Sequence, residues 1–133
     1  MSGESNLEVL LRLAAPQHNA GKYVFCTVKN ISATLLTKAV ATIREEEGVT
    51  LILPQAIADD QQLKYEYIAG WITLRVHSSL AAVGLTAAFS QALAQQNISC
   101  NVVAGYYHDH IFVAESDVTR ALAILQNLGK GNA

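Results

Sequence analysis

At 133 residues the chain is long enough for one compact domain, or for two very small ones sharing a core. Hydrophobic residues make up 51% and charged residues only 15%, so much of the surface is expected to be covered, by two halves packing together or by a partner chain. A formal net charge of −2, with nine Lys and Arg scattered and no basic run, argues against a nucleic-acid surface, and no apolar stretch approaches the roughly 20 residues that span a membrane.

The first residues, MSGESNLEVLL, lack a basic region followed by an apolar one, so no secretion signal is expected. Cys26 and Cys100 sit singly in apolar runs and read as buried, reduced thiols, which places the chain in the cytoplasm. Leu7, Leu10, Leu11 and Ala14 form one face of a short helix with Ser5 as N-cap. Pro16 to Gly21 reads as a polar connection, and Lys22 to Val28 (KYVFCTV) as a strand. Residues 29–36 are ambiguous. Residues 38–53 admit a helix from Thr34 to Glu47 or a hairpin turning at Glu46-Glu47-Gly48. The hairpin is preferred, because β-branched residues flank a Gly-containing turn on both sides. Pro54 is placed to open a short helix through Ala58.

The second half is plainer. Trp71 to Val76 alternates as a strand. Leu85, Ala88, Phe89, Ala92 and Leu93 recur at helical spacing within a run from Leu80 to Gln96. Ile98, Cys100, Val102 and Ala104 keep a period of two. After the polar cluster His108-Asp109-His110 comes a short strand, Ile111 to Ala114, then a helix capped by Ser116 or Asp117 and closed at Gly129. The order strand–helix–strand–strand–helix is a ferredoxin-like α+β unit lacking its last strand. The simplest completion is a strand from the first half, so halves at 1–64 and 65–133 are expected to interlock and to be inseparable.

The run GWITLRVHSSLAAVGLTAAFSQALAQQNISCNVVAGYYHDHIFVA, with YVFCTV (Tyr23–Val28) and REEEGVTLILP (Arg44–Pro54), resembles the stand-alone bacterial ACT proteins built from tandem ACT-like halves. It is more distantly similar to the paired ACT domains of aspartate kinases and of CASTOR-type arginine sensors. The resemblance implies a ferredoxin-like α/β sandwich, no enzymatic activity and no cofactor. It also implies an amino acid or similar metabolite bound between ACT units, and a homodimer or larger even oligomer. The ACT ligand loop falls on His77, Ser78, Ser79 and Leu80, running to Gly84.

Chemistry at these positions is consistent with such a site. A strand-to-helix turn offers unpaired N–H groups to a carboxylate, although Ser78 or Ser79 serves equally as a plain helix cap. Gly84 inside a helical pattern costs roughly 1 kcal/mol against Ala, and so implies either ligand approach or tight packing. Asp109 is expected either to cap a turn between strands or to face the ligand's amino group, with Asn101 nearby. His108 and His110, two apart, suggest as a rival a metal-dependent enzyme, but no further ligand stands at suitable spacing, so no metal is expected. No GxSxG elbow accompanies His77, Ser78 and Asp109, which argues against hydrolysis. The Glu45-Glu46-Glu47 run reads as a solvated surface, and Trp71 as core under a helix. A second rival is an interaction protein that keeps the fold without a ligand.

Overall fold

The computed structural model describes Asn6, Leu7, Val9 and residues 15–75 and 83–129. Contacts divide the chain into two compact units: residues 21–69, and residues 1–20 together with 70–133. Two strands, β1 (Pro16–Val28) and β4 (Ile68–Leu74), have residues in both. Residues 16–21, expected as a polar connection, are therefore strand. Polar side chains there alternate on a strand whose backbone finds its partners far along the chain, a pairing that no local pattern announces.

In the unit of residues 21–69 the strands are ordered β2 (Ala41–Glu45), β3 (Gly48–Pro54) and β1, all antiparallel. Val24 faces Leu53 and Cys26 faces Leu51. These four side chains are buried, and with Leu35 and Ala58 they form the core. Leu35 comes from helix α1 (Ala33–Lys38), whose N-cap Ser32 accepts the Leu35 N–H at 3.1 Å. Ala58 comes from α2 (Gln55–Asp60), which Pro54 precedes as N-cap. Both readings of residues 34–53 hold a part of the truth. Helical periodicity is real as far as Lys38, Ala39 turns extended, and the hairpin then pairs Glu45 with Gly48 across Glu46-Glu47. Cys26 is a free, buried thiol whose burial pushes its pKa up.

In the other unit the strand order is β1, β4 (Ile68–Leu74), β6 (Asp109–Ala114) and β5 (Asn101–Ala104). Ile72, Leu74, Ile111 and Val113 point to one face. Against them lie Leu85, Phe89 and Leu93 of α3 (Leu85–Gln95) and Val118, Ala121 and Leu125 of α4 (Val118–Gly129), which follows a 3-10 turn at Glu115–Asp117. Each of these large apolar side chains gains about 1.5–3 kcal/mol on burial. They therefore hold the helices to the sheet far more firmly than the largely exposed ion pair at the start of α4, Asp117 with Arg120 at 3.2 Å. Asn6 accepts the Val9 N–H at 3.3 Å, in the manner of an N-cap; Ser5, expected in that role, lies outside the described residues. Among the described residues no helix is long and apolar enough to cross a membrane.

Gly84 is not inside a helix. It is the N-cap of α3, at φ +100° in the left-handed region, and a Cβ there would stand 3.2 Å from Leu7 Cδ2. The apolar rhythm continues through it because α3 begins at the very next residue. Gly84→Ala is expected to cost about 1–2 kcal/mol from the left-handed backbone alone, read as a lower midpoint in chemical denaturation with an unchanged m-value.

Candidate functional site

The β5–β6 hairpin carries the chemically loaded residues. Its register sets Asn101 against Phe112, Val102 against Ile111, Val103 against His110 and Ala104 against Asp109. The loop is closed by the Gly105 N–H donating to the His108 carbonyl at 2.9 Å. Only glycine fits at 105, because a Cβ would lie 2.8 Å from the His108 carbonyl oxygen and 3.2 Å from His110 Nε2. Asp109 is therefore the first residue of β6 rather than part of the connection. It shares the parity of Ile111 and Val113 and is only 7% exposed.

Burial pushes the Asp109 carboxyl above its usual range, against a smaller pull downward from His110 and His108. No hydrogen bond or ion pair from another described residue meets this carboxylate. His108 Nδ1 is likewise buried without a hydrogen-bond partner among the described residues. Burying this carboxylate is costly, and the two flanking histidines offset only part of the cost.

His110 lies on the opposite face of the same strand. Its Nδ1 accepts the Trp71 indole N–H at 3.0 Å and lies 3.1 Å from Thr73 Oγ1. Asn19 Nδ2 donates in turn to Thr73 Oγ1 at 2.9 Å and to the Trp71 carbonyl at 3.4 Å. Trp71 stacks on the fully buried Phe112, ring centroids 6.1 Å apart. The expectation of Trp71 beneath a helix is thus corrected: Ile72 and Leu74 face the helices, and Trp71 and Thr73 face away. Burial lowers the His110 pKa, His108 lowers it further and Asp109 opposes both. Alternation sends Asp109 and His110 apart, and among the described residues no group of three or more His, Cys, Asp or Glu can hold a metal.

Of the expected site residues, His77, Ser78, Ser79 and Leu80 lie outside the described residues. Gly84 stands at the start of α3 beside Leu7. Asn101 is exposed and donates to the Phe112 carbonyl at 3.3 Å. It sits three residues along β5 from the partner of Asp109, about 10 Å away on strand spacing, and on the other face. The structure does not bring Asn101 and Asp109 together. The Asn19–Thr73–His110–Trp71 cluster was missed by the sequence reading. Its one signal was a tryptophan whose N–H needs a partner once buried. The unit of residues 21–69 carries an open groove of about 860 Å³ lined by Phe25, Thr27, Thr50, Lys64 and Tyr67. Tyr65, also on its wall, donates to Asp59 at 2.8 Å and accepts from Gln55 at 2.9 Å.

Two family models, both described as ACT domain, match the chain in tandem, over residues 2–70 and 66–127. The chain belongs to the ACT-domain family. Its α+β architecture is the ferredoxin-like fold of ACT domains. A solved structure from Vibrio cholerae, of a protein of unknown function and possible transport protein, is 47% identical to this ACT chain. It matches with a TM-score of 0.83 over 92% of this chain and 95% of that one. The ligand-free regulatory subunit of aspartate kinase from Thermus thermophilus matches in fold at 6% identity, TM-score 0.65, over 88% of this chain and 97% of that one. An Agrobacterium tumefaciens protein matches at 17% identity, TM-score 0.66, over 87% and 89%. No curated protein matches in sequence. Membership in the ACT family supports a regulatory, small-ligand-binding module, and no catalytic family is indicated.

Proposed function

We propose that this ACT protein binds an amino acid or a similar amine-bearing metabolite at the Asp109 end of the β5–β6 hairpin, and that binding alters how it meets a partner. The observation that carries this reading is the Asp109 carboxylate, nearly buried and met by no hydrogen bond or ion pair from another described residue. A ligand ammonium would add to the partial compensation from His108 and His110 and supply donors, and a bond of that kind is worth about 1.5–3 kcal/mol. The ACT ligand loop of the resemblance, at Ser78–Leu80, is proposed to take the carboxylate end through its backbone amides. A homodimer or larger even oligomer in the cytoplasm belongs to the same reading, supported by the 15% charged content.

Thermal-shift screening against the twenty amino acids and common metabolites tests it. At least one amine-bearing compound is expected to raise the melting temperature with a concentration dependence that saturates. Ligand at 100 times its Kd stabilises by about 2.7 kcal/mol. A screen in which no amine-bearing compound shifts the melt at millimolar concentration would favour an interaction protein that has kept the fold alone.

A further inference from the structure

The face of the sheet turned away from α3 and α4 holds a polar cluster that ligand binding does not use. An indole N–H can only donate, so the 3.0 Å bond from Trp71 Nε1 fixes His110 Nδ1 as an acceptor. The imidazole is therefore neutral, with its proton on Nε2. Thr73 Oγ1 already accepts from Asn19 Nδ2, which leaves the hydroxyl proton of Thr73 to be donated to the same His110 nitrogen, 3.1 Å away. Two donors, both from β4, thus converge on one nitrogen of β6.

We propose that Trp71, Thr73 and His110 form a proton-operated latch between β4 and β6, closed while His110 is neutral and released when it takes a second proton. That proton has one place to go, since Nε2 is occupied. On Nδ1 it faces the indole N–H head-on, two donors with no acceptor between them. Thr73 can turn its hydroxyl to accept; Trp71 cannot, so its indole must swing away or lose its partner. Among the described residues, the elements around the ring bring few competing charges. Trp71 and Thr73 of β4, Asn19 of β1, and Val103 and Gly105 of the hairpin do not ionise. Among the described residues the ionisable neighbours are Asp109, which favours the proton, and His108, which opposes it. His18, beside Asn19, stands near Gly70 and Val118 on the helix side of the sheet. Burial lowers the His110 pKa, so the latch is closed at neutral pH and opens only in acid, below the ordinary histidine value of about 6.5. The latch needs no ligand.

Trp71 is the single tryptophan of the chain, so its indole N–H gives one resolvable signal in a nitrogen–proton correlation spectrum. In the full-length protein that resonance is expected to move on acidification, with a midpoint below 6.5 that coincides with titration of the His110 ring protons. In His110→Asn, which keeps an acceptor but cannot titrate, it should stay still over the same range. An indole signal that remains fixed while the His110 ring titrates would overturn the latch, and so would an identical shift in His110→Asn. Should that variant fail to fold, the wild-type titration decides by itself.

Discussion

A chain of residues 65–133 alone is expected to give an aggregating or molten product with no cooperative thermal transition. In the structure, residues 1–20 belong to the same compact unit as residues 70–133. Cutting at 65 removes the strand beside β4. The bonds of Asn19 to Thr73 and to the Trp71 carbonyl go with it, as does the Arg75 N–H bond to the Ala15 carbonyl. Leu7, which packs on the cluster of Ile72, Phe89 and Val113, is lost too. What is left is an open edge of β4 next to an apolar face, the arrangement that recruits a second chain. Each lost bond is worth only about 1 kcal/mol. A domain this small, however, holds about a tenth of a kcal/mol per residue in reserve, so several such losses consume it. A soluble 65–133 fragment that melts cooperatively by circular dichroism would refute the interlock.

The second large effect concerns Asp109, where stability and binding are expected to move in opposite directions. Replacing it with Asn keeps the shape and removes the charge. At neutral pH the variant is expected to be more stable than wild type by about 1 kcal/mol, the usual gain when a strained functional group is relaxed. The sign follows from the direction of the shift. A carboxyl whose folded pKa is raised adds stability below its unfolded value, near 3.9, and loses it as pH rises through the folded value. Wild type and Asp109→Asn should therefore converge in acid and separate toward neutrality. His110 adds a slope in both chains, displaced to lower pH in the variant because the Asp109 charge that favours its proton is gone. Its folded pKa is lowered, so its contribution is present above about 6.5 and falls away as pH drops toward the folded value. Denaturant midpoints measured from pH 4 to 8 on both chains report the difference. A variant less stable than wild type at pH 7 would mean that Asp109 has a counter-charge in the protein itself.

Elements whose signal is local were legible in the sequence. Leu85, Phe89 and Leu93 are buried on α3 as their spacing predicts. The Glu46-Glu47 turn also holds; of the alternation read from Ile98 to Ala104, Ile98, Cys100 and Val102 reach the core, but the strand begins only at Asn101 and Ala104 is exposed. Signals that depend on distant partners were not legible. Residues 16–20 are strand because they meet β4, more than 50 residues away, where Asn19 finds Trp71 and Thr73. Trp71 and His110 are 39 residues apart and meet because β4 and β6 are neighbours. Asp109 was read as a loop residue because His-Asp-His looks hydrophilic, and a polar pattern does not show that a strand begins inside it. Gly84 kept the helical rhythm because rhythm does not mark where a helix starts. The ACT resemblance gave the family, while the position of Asp109 on β6 depends on pairing with β5.

The most direct measurement is a calorimetric titration of wild type and Asp109→Asn with whichever amine-bearing compound the thermal screen selects. A ligand ammonium seated on Asp109 predicts that the variant, folded and at least as stable, binds more weakly by about 1.5–3 kcal/mol, roughly ten- to a hundredfold or more. Equal affinity in the two chains would contradict the account and place the ligand elsewhere on the protein.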